Sequence, residues 1–153
     1  MISRPISRRI STIICTAIRR NEGRLRRRLL FCRLSQSRRS ASQKAASFAS
    51  QNQRPIVTTT WVLTEVANPF AASTARDRIA GFVAALEGDV NTKIVPAAQA
   101  LFHRGLERYA ARSDKSWTLT DCISFIVMED EGITDALTGD QHFVQAGFEV
   151  LLK

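Results

Sequence analysis

The 153-residue chain has no aspartate before Asp77, and its first 50 residues hold a single acid, Glu22. It also lacks any apolar run near the ~18 residues that a membrane-spanning helix needs, so no membrane association is expected. The stretch Ile13-Ile14-Cys15 is too short for the apolar region of a secretory signal. Cysteine is scarce. Cys15, Cys32 and Cys122 have neither CxxC spacing nor a nearby histidine, which argues against a disulfide framework and against zinc. A reduced, cytoplasmic setting is the expectation that follows.

The shortage of acid is local. Residues 1–50 carry 13 Lys and Arg against Glu22, whereas residues 51–153 carry 9 basic and 13 acidic groups. The pI of 10.4 therefore belongs to the N-terminal third, and the remainder has the balance of an ordinary globular domain. Reading the whole chain as a basic nucleic-acid binder would average two unlike segments. Residues 1–42 show no sustained hydrophobic period, and the stretch RRLLFCRLSQSRRSAS at 27–42 has five arginines, four serines and no acid. One domain is expected, over residues 43–153, preceded by a basic segment 1–42 that is either disordered or read out of frame.

From residue 54 the chain punctuates clearly. RPIVTTT (54–60) is β-branched after Pro55 and reads as a buried strand. Residues 61–68 read as a helix with Thr60 at its N-cap, stopped or kinked near Asn68 by Pro69. Residues 73–88 form a second helix on the spacing of Ile79, Phe82, Val83 and Leu86, ended by Gly88. TKIVP (92–96) is a short strand, and residues 97–113 a third helix. Leu119, Cys122, Ile123, Ile126 and Val127 make the stripe of a fourth helix, with Thr118 and Asp121 at capping-box spacing and Gly132 as its stop. ITDALT is a strand, GDQHFVQAG a loop and short helix, and FEVLL a last strand. Strands alternating with helices imply a parallel sheet covered on both faces.

Three acids occupy notable places: Glu65 within the first of these helices, Asp121 at a helix start, and Asp140 just after a strand. The ends of parallel strands and the adjacent helix starts share one edge, where sites form. Asp121 and Asp140 can therefore meet although 19 positions separate them. Buried carboxylates repel one another unless a cation is present, and hard divalent ions suit them. Each acid also has a plain structural explanation: helix-dipole contact for Asp121, a turn after Gly139 for Asp140, and a solvated helix surface for Glu65.

The wording of the sequence adds to its spacing. TTTWVLTEVAN, then WTLTDCISFIVMEDEGITDALTGDQHFVQAGFEVLL, resembles the PIN-domain family, in particular its VapC-like ribonucleases. The shared features are an acid in the helix after the second strand (Glu65), the S/T-L-x-D opening of a later helix (Thr118 to Asp121), and A-L-T-x-D-x-H-F followed by A-G-F. The resemblance spans about residues 43–153 and implies a three-layer α/β/α domain with a central parallel sheet. It implies that Glu65, Asp121 and Asp140 hold Mg²⁺ or Mn²⁺, and that the substrate is RNA, cleaved by phosphodiester hydrolysis. It also implies a toxin with a protein antitoxin partner, and it is compatible with a homodimer. His142 and Phe143 belong to the last block and are expected to pack or cap locally, a general-base role for His142 being the alternative. Trp117 is expected in the core or an interface, His103 on the surface, and Thr138 either beside the site or simply at the end of its strand.

The family's first strand, an apolar segment ending in aspartate, has no counterpart here and reads as missing or corrupted. Three explanations fit the arginine- and serine-rich opening: a transit peptide of an organellar enzyme, a basic arm that grips phosphates, or translation in the wrong frame. With a one-base shift, codons exist that turn Arg27-Arg28-Leu29-Leu30 into Asp-Ala-Ser-Phe and Leu25-Arg26 into Phe-Val. The chain as written is then expected to be inactive, and its rival description is a non-catalytic relic that binds nucleic acid through a basic arm. Sequencing the gene checks the frame reading: an aspartate codon should lie one base out of frame at position 27, and its absence would reject the idea.

Overall fold

The computed structural model describes residues 11–14, 31–35, 55–72 and 76–152. Among these residues, six strands and five α-helices follow in the order β1 (Ser11–Ile14), β2 (Phe31–Ser35), β3 (Ile56–Thr59), α1 (Thr60–Ala67), α2 (Arg76–Gly88), β4 (Thr92–Val95), α3 (Gln99–Ala111), α4 (Leu119–Asp130), β5 (Asp135–Leu137), α5 (Gln141–Gln145) and β6 (Glu149–Val150). Strands β2, β5 and β6 pair in parallel, as do β3 and β4. The α/β architecture expected from the sequence is present. By hydrogen bonding it is divided into a four-stranded sheet, β1-β2-β5-β6, and a β3-β4 pair, with β3 lying against β1 and β2. Strand β1 is antiparallel to β2, the kind of edge addition common on parallel sheets. Both β1 and β2 fall within the basic segment 1–42. The rest of that segment, including the frame-shift positions 25–30, lies outside the described residues.

Local chemistry sets the element boundaries. Helix α1 is capped by Thr59 rather than Thr60: the Thr59 hydroxyl accepts from the Val62 N–H at 3.2 Å. Thr60 instead turns its hydroxyl across to the Val95 carbonyl at the end of β4, at 3.3 Å. Pro69 acts as expected. The α-helix stops at Ala67, and Asn68–Phe70 tightens into a 3₁₀ turn. Gly132 follows α4 with φ +64°, the left-handed region where a glycine carries no Cβ penalty.

Helix α4 is the centre of the packing. Residues 121–128 are buried in succession. Phe125 meets Trp117, Phe143 and Phe148 edge-on or tilted, with ring centroids 4.9–5.7 Å apart, which joins α4 to α5 and the chain entering β6. Such contacts add about 0.5–1.5 kcal/mol per pair to the burial itself. Helix α3 lies across the other side of α4. Gly105 is buried against Ile123 there, and a Cβ at position 105 would collide with the Ile123 side chain. At the rim, Arg104 and Arg108 make two-pronged ion pairs with Asp130 and Glu129. These pairs are half exposed and contribute little beside the packing.

The close approach at Gly105 makes a testable point. Gly105→Ala should destabilise the protein by about 1–3 kcal/mol, the usual cost of overpacking. Urea unfolding measures it. An unchanged midpoint would show that α3 and α4 can separate at no cost.

Candidate active site

The site is built where α4 begins and β5 ends. Thr118 and Asp121 form a complete capping box: the Thr118 hydroxyl accepts from the Asp121 N–H at 3.1 Å, and Asp121 Oδ2 accepts from the Thr118 N–H at 2.9 Å. This fixes the Asp121 carboxylate, which is wholly buried. Asp140 caps α5 in the same manner, accepting from the His142 N–H at 2.8 Å, while its own N–H donates to the Thr138 hydroxyl at 3.1 Å.

The two aspartates meet on one imidazole. His142 Nδ1 lies 3.2 Å from Asp121 Oδ2 and 3.5 Å from Asp140 Oδ1. On the other side of the ring, Nε2 is 3.1 Å from the Ser116 hydroxyl. The effective cost of burying a carboxylate is several kcal/mol. A hydrogen bond to a charged group contributes about 1.5–3 kcal/mol, so the cap alone does not offset that cost and the ring nitrogen adds a second partner. Glu65 is half-buried on α1. Among the described residues, no group of three or more histidine, cysteine or acidic side chains is arranged to hold a metal ion. In donor chemistry two carboxylates suit a hard divalent ion, because Mg²⁺ keeps several waters and takes one or two carboxylates.

Other residues fall as their environments dictate. Trp117 is buried and donates its indole N–H to Gln145 at 3.2 Å, and Arg112 stacks over its ring, 4.8 Å from the centroid. His103 is exposed on α3. Burial pushes the Cys122 thiol above its usual range, which keeps it unreactive. Thr138 stands beside Asp140, the supporting place allowed for it. Ser116 was not foreseen: a serine in a polar run before a tryptophan carries no signal until folding brings His142 to it, 26 positions along the chain.

No protein-family model matches the chain, and no curated protein matches it by sequence. Among solved structures it is similar to Mycobacterium tuberculosis VapC20, described as a toxin that cleaves the sarcin-ricin loop. The TM-score is 0.62 at 22% identity, over 71% of this chain and 83% of that one. The chain has the fold of a PIN domain. At this identity the likeness speaks for the fold. Within the PIN fold, the Asp121 capping box and the Asp140 turn are what hold the two acids in place.

The cap is accessible to experiment. Thr118→Ala removes the acceptor for the Asp121 N–H and should cost about 0.5–2 kcal/mol, measured by thermal or urea unfolding. Full stability in this variant would mean that the capping box does not hold the start of α4.

Proposed function

We propose that this chain carries the site of a metal-dependent endoribonuclease, with Glu65, Asp121 and Asp140 as its acids. The observation that supports this reading is the meeting of Asp121 and Asp140 at His142 Nδ1. Two hard oxygen donors drawn to one point suit Mg²⁺ or Mn²⁺, with Glu65 completing the set from α1. Such an ion, when bound, activates water and offsets charge on a phosphodiester. The protein supplies rigidity. The capping bonds keep both aspartates from turning away, and the contact of Nε2 with Ser116 holds the imidazole in register. The likeness to VapC20, a toxin that cleaves the sarcin-ricin loop, supports RNA as the substrate class and a toxin role; the protein antitoxin rests on the resemblance of the motifs to the VapC-like ribonucleases.

Strand β2 favours a second reading. It lies in the interior of the sheet beside β5, yet Phe31–Ser35 contains no acid. Glu22 is the sole acid before Glu65 in the sequence. The aspartate expected at the end of the family's central strand thus has no counterpart on β2, and a relic that binds nucleic acid without cleaving it would have this character.

One comparison decides between them. The chain as written and a chain restored by the one-base shift across positions 25–42 are each assayed on single-stranded RNA with Mn²⁺ or Mg²⁺, with and without EDTA. The chain as written should be inactive. The restored chain should cleave in an EDTA-sensitive way, and Asp121→Asn in it should lose nearly all activity. No EDTA-sensitive cleavage by the restored chain overturns the ribonuclease reading. Equal cleavage by both chains would show that the site does not need the missing aspartate.

A further inference from the structure

We propose that the cleft between the end of α3 and the start of α4 seats the nucleotide that flanks the cleaved phosphate. The base would lie on Tyr109, and the backbone phosphate against Lys115 and Arg112. This rests on RNA being the substrate of the neighbouring acids, and it adds a subsite that neither the motifs nor the acids specify. The cleft has a volume of about 830 Å³, room for more than a single side chain. Its wall contains two cations, Arg112 and Lys115, and no carboxylate. Asp114 stands just outside, paired with Arg112 at 2.8 Å and with Lys115 at 3.7 Å. The Arg112 guanidinium holds the Asp114 carboxyl down at about 2.

Three observations favour a nucleotide here. Tyr109 is 49% exposed at the cleft, which leaves an aromatic side chain available to stack on a base. Arg112 is braced on the Trp117 ring, so its cation is held in place. Ser116 lines the same cleft and touches His142, which in turn touches both aspartates. Ser116 and His142 therefore link the wall of the cleft to the two aspartates. A second copy of this chain could cover the exposed Tyr109 and Leu106 instead, but cations beside an aromatic ring match a phosphate backbone better than an identical surface carrying the same charges.

Binding of a short fluorescein-labelled single-stranded RNA to the full chain, followed by anisotropy in EDTA, tests the cleft without requiring cleavage. Tyr109→Ala should weaken binding about fivefold to a hundredfold, and Tyr109→Phe should retain it. Lys115→Ala should weaken binding and reduce the salt dependence by about one phosphate contact. Thermal melts confirm that each variant is folded. Unchanged binding in folded Tyr109→Ala and Lys115→Ala overturns the subsite, as does failure of the parent chain to bind RNA. If Tyr109→Ala turns a dimer into a monomer in sedimentation while RNA binding is unaltered, the surface belongs to a second copy and the proposal fails. The ribonuclease reading is judged separately, by EDTA-sensitive cleavage in the restored chain.

Discussion

The burial of one carboxylate constrains much of this structure. Asp121 stands at the first turn of a helix whose next seven residues are also buried, so the helix start cannot be left to water. A free N-terminus at that depth would leave orphan N–H groups, and an unpartnered carboxylate would be costlier still. The capping box answers both demands with one pair of side chains. Because Thr118 and Asp121 satisfy each other, the carboxylate direction is set by the helix itself, and His142 reaches it from α5.

That arrangement couples packing to chemistry. Phe125 and Phe143 pack edge to face between α4 and α5, and Phe148 closes the cluster from the chain entering β6. Phe143 follows His142 in α5, so the contact that seats the core also positions the imidazole. Asp140, two residues earlier, caps the same short helix. A helix of five residues has little stability of its own. Its place is set by the aromatic anchor on one side and the cap on the other, which is enough to bring the two aspartates to a common nitrogen.

The sheet shows what remains of the PIN arrangement and what does not. The parallel pairing of β2, β5 and β6 puts the C-terminal ends of these strands on one edge, where Asp140 lies. Strand β2 fills an interior position of that sheet without an acid. Position and charge are separable here. The ladder needs backbone groups and a β-compatible chain, whereas an ion needs oxygen donors at particular points.

The helices and strands after residue 54 were legible because each carries a local signal: β-branched runs for β3 and β4, the Thr118–Asp121 box for α4, and Gly132 and Pro69 as stops. The N-cap of α1 is Thr59, one residue before the Thr60 that the sequence suggests, since three successive threonines offer equivalent caps and the choice depends on Thr60 reaching Val95 across the sheet. The candidate acids were readable from motif spacing, but the residue that joins two of them was not. His142 could be placed in a motif, while its role between Asp121 and Asp140 and its contact with Ser116 depend on elements 21 and 26 positions away. After residue 54 the sequence by itself determined which segments are helix or strand and which acids stand near their ends, because capping, periodicity and turn chemistry act within a few residues; strands β1 and β2, in the basic segment, carried no such signal. Only the tertiary structure decided that these ends converge on one imidazole beside a basic, aromatic cleft. Convergence depends on how α3, α4 and α5 pack, and packing is settled by contacts between distant parts of the chain.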